Sequence, residues 1–252
     1  MDELTLLSVV ALAGAAFLIG FAKTAIGGVA SLAVAVFALV LPARESTGAV
    51  LALLLVGDVV AVRLYRRHAD WALLLRLLPS VVPGLALGAW FVAVADQTLM
   101  QRAIGGVLLV MALIQIWSRH DADRTTDTSG RIREIGGRAA PFAVGIAAGF
   151  ATMTANAAGP LMTIYLLIAG LPVLGLLGTA AWFFLLVNLA KLPFSAGLGL
   201  MDGATLLLDL TLVPALLAGA AAGVWVARRI DRQMFEGATL ALTVLAAAVL
   251  FV

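Results

Sequence analysis

Three ionisable side chains set within long hydrophobic runs are the candidates for chemistry in this sequence: Lys23, Asp58 and Lys191, the two lysines being the only ones in the chain. An ionisable group inside an apolar span costs about 2.5–3.5 kcal/mol on insertion scales, and is tolerated mainly where it faces a cavity or a partner. Two lysines at membrane depth make a cationic centre suited to an anion. A carboxylate at the same depth can carry a proton between two sides of a membrane. Each group also has a purely structural explanation. Asp58 can neutralise Lys23 as a buried ion pair, and Lys191, about ten residues from the end of its run, can extend its stem toward the headgroups.

The surroundings of the lysines sharpen the reading. Leu4 to Leu41 is one apolar run interrupted by Phe21-Ala-Lys-Thr-Ala-Ile-Gly-Gly28, and Ala139 to Gly170 is interrupted by Thr152-Met-Thr-Ala-Asn-Ala-Ala-Gly-Pro160. Each is too long for one crossing of a ~30 Å hydrocarbon core and barely long enough for two. Each therefore predicts a helix pair meeting at a broken, polar centre. Gly27-Gly28 and Gly159-Pro160 begin the second segments, and Pro160 suits a first helical position because it lacks the N–H that would be orphaned there. Helix N-termini at such breaks carry unpaired N–H groups and partial positive charge, which must meet protein, water or a ligand. Thr24, Thr152, Thr154 and Asn156 add neutral hydrogen-bonding groups. Two breaks with lysines nearby describe a midplane site for a small anion. The candidate binding residues are Lys23, Thr24, Gly27, Gly28, Thr152, Asn156, Gly159, Asn188 and Lys191, and Asp58 is the candidate proton-coupling group.

These residues are positioned by a chain built for lipid. Hydrophobic residues make up 63% of it and charged residues only 12%, against about 45–50% and 25% in soluble domains; too few polar residues remain to cover a soluble core. Further apolar stretches of spanning length lie at about 46–62, 71–95, 99–117, 173–198, 204–227 and 233–252. The one long polar segment, Ser118 to Arg138, divides the chain into near-equal halves. The start, Met-Asp-Glu, lacks the basic region of a cleaved signal peptide, so its apolar run reads as part of the mature protein. A net charge of +2 does not indicate nucleic acid, because the arginines stand between apolar runs rather than on one face. The absence of cysteine excludes thiol chemistry and Cys-ligated metals, and the two histidines, His68 and His120, fall in charged loops.

The halves are related to each other. Pro79, Gly84, Gly88, Trp90 and Asp96 recur as Pro214, Gly219, Gly223, Trp225 and Asp231 at a constant offset of 135. Gly20-Phe-Ala matches Gly149-Phe-Ala, and Asp58 matches Asn188, at offsets of 129 and 130. This is the mark of an internal duplication. The small-xxx-small pairs Gly84/Gly88 and Gly219/Gly223 read as packing surfaces. Each half holds an odd number of passes, five apolar segments or three spans plus a re-entrant hairpin, so the repeats are expected to be inverted. Twelve arginines, among them Arg63, Arg66, Arg67, Arg131 and Arg229, fall on one face against Arg44 and Arg102 on the other. Basic residues accumulate in short cytoplasmic loops, which places the linker inside and both termini outside.

The block Gly149-Phe-Ala-Thr-Met-Thr-Ala-Asn-Ala-Ala-Gly-Pro160, with Tyr165, Gly178-Thr179-Ala-Ala-Trp-Phe-Phe184, Asn188 and Lys191-Leu-Pro193, resembles the second-half signature of the TauE/SafE family of sulfite and organosulfur-anion exporters. The resemblance runs over nearly the whole chain. In the first half, Lys23-Thr-Ala-Ile stands before Gly27-Gly28 where the family is commonly richer in glycine. The resemblance implies export of a small sulfur oxoanion, such as sulfite or a sulfonate, across the bacterial cytoplasmic membrane; nothing in composition or spacing points to sulfur.

The expected architecture is therefore all-α, a polytopic transmembrane bundle of two inverted repeats with broken or re-entrant helix pairs: residues 1–117, a cytoplasmic linker 118–138, and residues 139–252. The expected activity is secondary transport of a small anion, with proton coupling through Asp58; an anion channel is the alternative that the same cationic centre would serve. An enzyme would need a nucleophile and base, or metal ligands, at membrane depth. The intramembrane residues supply neither, and there is no phosphate-binding loop for direct ATP drive. No cofactor is expected. The expected partners are the anion and the lipid bilayer, with no nucleic acid; a homodimer is left open.

Overall fold

A computed structural model describes residues 5–25, 29–122, 139–201 and 203–227. All regular structure among them is helical: α1 (Leu6–Thr24), α2 (Ala30–Val40), α3 (Ala43–Tyr65, continued by a 3-10 turn Arg66–His68), α4 (Trp71–Val94), α5 (Gln97–Ala122), α6 (Ala139–Ala155), α7 (Gly159–Ile168), α8 (Val173–Gly197) and α9 (Gly203–Ala227). Six helices, α1, α3, α4, α5, α8 and α9, are long and apolar enough to cross a membrane. With 11 and 10 residues, α2 and α7 rise only ~15 Å at 1.5 Å per residue, half the hydrocarbon thickness. Both long apolar runs thus divide into two helices at the expected breaks. The spans read from the sequence at 46–62, 71–95, 99–117, 173–198 and 204–227 all fall on helices, while 233–252 lies outside the described residues. Helix α5 continues to Ala122, past the expected start of the polar linker, and 123–138 lies outside the described residues.

Local chemistry sets the helix ends. Asp70 caps α4, its carboxylate accepting from the Leu73 N–H at 3.0 Å, while its own N–H donates to Thr179 Oγ1 of α8 at 2.9 Å. Asp96 accepts from the Leu99 N–H at 2.7 Å at the start of α5. Pro42 and Pro172, which fix φ and have no N–H, precede α3 and α8. At the end of α6, Asn156 takes the left-handed conformation with φ +50°, which asparagine tolerates better than most residues and which turns the chain out of the helix. The α7 helix restarts three residues later with Pro160 in its first turn.

The helices of one half pack on those of the other: α1 on α9, α4 on α6 and α3 on α8. Glycines set the close approaches. A β-carbon at Gly20 would overlap the backbone of Leu216 and Ala220, one at Gly219 that of Phe17, and one at Gly223 would meet Phe21 and Thr24. In the other pair, Gly149 faces Val81 and Leu85, Gly84 faces Ile146, and Gly88 faces Phe150 and Met153. The second set is the first shifted by the two offsets found in the sequence, 129 for α1 to α6 and 135 for α4 to α9. Where no hydrophobic force separates helix from lipid, such close backbone contact is what holds spans together. The outer faces are apolar: Leu75, Val82, Leu87 and Trp90 on α4, and Leu207, Leu210 and Trp225 on α9, are all exposed. That much apolar surface needs an apolar surrounding.

Candidate functional site

The site forms where both breaks meet the middles of α3 and α8. Lys23, in the last turn of α1, extends its ammonium across to α3, where Nζ lies 2.5 Å from Asp58 Oδ1. The passage for its stem is opened by Gly57, at which a β-carbon would lie 2.9 Å from Lys23 Cγ. The same ammonium sits 4.4 Å from the centroid of the Phe184 ring, whose negative face attracts a cation. The other Asp58 oxygen, Oδ2, accepts from Asn188 Nδ2 at 2.7 Å. Asp58 is wholly buried, and both its oxygens are engaged, as a buried carboxylate requires.

On α8, Asn188 is one turn before Lys191, and the two side chains meet across the i, i+3 spacing at 3.5 Å. Lys191 is fully buried. Its ammonium donates to Asn156 Oδ1 and to Thr152 Oγ1, the latter at 3.4 Å. It ends among these oxygens and does not reach the headgroups. Asn156 donates in turn to the Thr47 carbonyl of α3 at 3.1 Å. One polar chain, Lys23–Asp58–Asn188–Lys191–Asn156–Thr47, begun by the ion pair and continued by hydrogen bonds, therefore joins α1, α3, α8 and the end of α6. Buried polar networks of this kind help to fix the positions of their members in an apolar interior.

Beside the chain is a cavity of about 50 Å³, several times the ~10–15 Å³ that one water needs. Lys23, Asp58, Thr152, Asn156, Gly159 and Asn188 line it, with Ser31 of α2 and Thr163 of α7 adding hydroxyls; Phe184, Leu54 and Leu176 form apolar wall. Six of the candidate residues thus converge on one space. Lys191 donates to Asn156 and does not itself line the cavity. Thr24 does not face the cavity: its hydroxyl donates to the Ala220 carbonyl of α9 at 2.8 Å, and its carbonyl accepts from the Tyr65 hydroxyl at 2.7 Å. Gly27 and Gly28 lie outside the described residues. Among the described residues no group of three His, Asp or Glu could hold a metal ion.

The family described as sulfite exporter TauE/SafE matches residues 12–250 of the 252-residue chain. The chain belongs to the TauE/SafE family. Neither a curated protein nor a solved structure matches it. A family of exporters and six apolar spans among the described residues agree: this TauE/SafE protein is a multi-pass membrane protein whose architecture fits transport.

Two features of this TauE/SafE chain were missed by reading the sequence for chemistry. Ser31 and Thr163, near the starts of α2 and α7, are by sequence ordinary small residues of apolar runs; only the folding back of the half-length helices brings them to the cavity. Asp209, in the second turn of α9, is buried, and neither oxygen has a hydrogen-bond partner among the described residues. A carboxylate near the end of an apolar run was the available signal, but hydropathy does not say which face of α9 turns inward.

Proposed function

We propose that this protein is a secondary transporter that exports a small anion, such as sulfite or an organosulfonate, across the bacterial cytoplasmic membrane. The observation that carries the reading is the cavity at the meeting of the two breaks, lined by Lys23 and backed by Lys191 in an otherwise apolar bundle. An anion there would meet the Lys23 ammonium, the Ser31 and Thr163 hydroxyls and the start of α7 at Gly159, while Lys191 would contribute charge through Asn156. Asp58 is the coupling group in this reading: it takes up a proton on one side of the membrane and releases it on the other, breaking and remaking its ion pair with Lys23. Alternating access would come from residues 1–117 and 139–252 acting as inverted repeats around the site, with 118–138 as a cytoplasmic linker. The matched glycine contacts of α1 on α9 and α6 on α4 support a two-fold exchange of this kind. Transport into proteoliposomes tests it. A secondary transporter shows saturable sulfite flux accelerated by sulfite on the opposite side; an anion channel, the competing reading, shows flux without that acceleration.

A further inference from the structure

The anion site just proposed has a countable charge. The groups that face Asp58 are Lys23 from α1 and Asn188 from α8, and the remaining ionisable group of the hydrogen-bonded chain is Lys191. The Lys191 nitrogen faces three oxygens, on Thr152, Asn156 and Asn188. Three oxygens around the nitrogen accommodate all three donors of an ammonium, and Lys191 is counted in that charged form. Two ammonium groups and one carboxylate leave a net charge of one positive unit. The helix ends do not change the sum, because each break brings a C-terminus (α1, α6) together with an N-terminus (α2, α7), whose partial charges oppose one another.

From this balance we infer that the site selects monoanions, and takes a dianion only together with a proton on Asp58. A monoanion brings the buried centre to neutrality with Asp58 ionised. A dianion would leave an uncompensated negative charge in a low-dielectric interior, a cost removed when the Asp58 carboxylate takes up one proton and releases Lys23 from its ion pair. The hydrogensulfite ion and sulfonates are therefore bound directly, and sulfite as the dianion binds with one proton per ion.

The inference rests on the anion-site reading, and its test separates the two. Methanesulfonate and sulfate are tetrahedral sulfur oxoanions of similar size that differ by one charge, and neither changes charge between about pH 6 and pH 8. Titration calorimetry of the purified protein with each should show methanesulfonate binding with little pH dependence. Sulfate should bind at least about tenfold more weakly at the alkaline end, and gain about tenfold per unit as the pH falls, the slope of one linked proton. Asp58→Asn, with two positive units, should bind sulfate with no pH dependence; if that variant does not fold, the parent titrations alone decide. Sulfate binding as tight as methanesulfonate and independent of pH would overturn the charge rule and leave the anion site standing. Binding of neither ion, and of sulfite neither, would overturn both.

Discussion

Asn188 donates to Asp58 across 2.7 Å, so two positions that match between the halves of the sequence touch each other at the centre of the molecule. The flanking contacts obey the same exchange: α1 meets α9 as α6 meets α4. The two matched residues differ in charge: an acid at one position and an amide at the other leave one carboxylate between Lys23 and Lys191.

That group is tied to Lys23. Lys23→Met should strand the Asp58 carboxylate in an apolar interior and cost about 3–5 kcal/mol, the range for removing one partner of a buried pair. The double change with Asp58→Asn should recover most of the loss. Thermal unfolding of the three variants in detergent checks this; a double variant no more stable than Lys23→Met would deny the coupling. Asp58→Asn alone should abolish pH-driven transport while sparing sulfite exchange in proteoliposomes, and loss of exchange as well would make Asp58 a structural counter-ion only.

Lys191→Met leaves acceptor oxygens on Asn156, Asn188 and Thr152 without their donor. Anion affinity should fall by about 1.5–3 kcal/mol, the range for hydrogen bonds to a charged group, and thermal stability should fall with it because α6 and α8 lose their link. Unchanged sulfite affinity in Lys191→Met by calorimetry would remove that charge from the site.

The glycine contacts predict matched penalties. Gly84→Ala and Gly219→Ala each press a methyl group into the backbone of the facing helix, at Ile146 and Phe17, and each should cost ~1–3 kcal/mol. Control changes at Gly14 and Gly106, where a β-carbon meets nothing within 4 Å, should be close to neutral. Equal unfolding temperatures for all four variants would contradict the packing.

Because the chain has no cysteine, single cysteines report topology cleanly. One placed at Ser129 should react with an impermeant maleimide only from the cytoplasmic side, and one at Asp2 only from outside. Labelling of both from the same side would contradict inverted repeats.

Much of this arrangement was legible in the sequence because membrane spans are set by length and hydropathy, and breaks by residues with backbone consequences. Gly159-Pro160 and Asn156 mark the second break as a helix end and a helix start. The i, i+3 spacing of Asn188 and Lys191 put both on one face of α8, and that face does meet Asn156. What could not be read were facts about which face turns where. Thr24 sits beside Lys23 in the chain, yet one helical step rotates it away from the cavity and onto Ala220. Asp209, near the start of α9, is buried, a placement that hydropathy alone does not give. The engagement of both ends of the Asn156 amide, by Lys191 and by Thr47, depends on three helices meeting, which no local pattern records.

The central claim is that the cavity between the two breaks holds a small anion, and thermal unfolding with sulfite tests it most directly. At 100 times its dissociation constant, sulfite should stabilise the parent protein by about 2.7 kcal/mol, and Ala180→Leu, which fills the cavity from its wall, should lose that response while still folding. No stabilisation of the parent, or equal stabilisation of the filled variant, would contradict the claim.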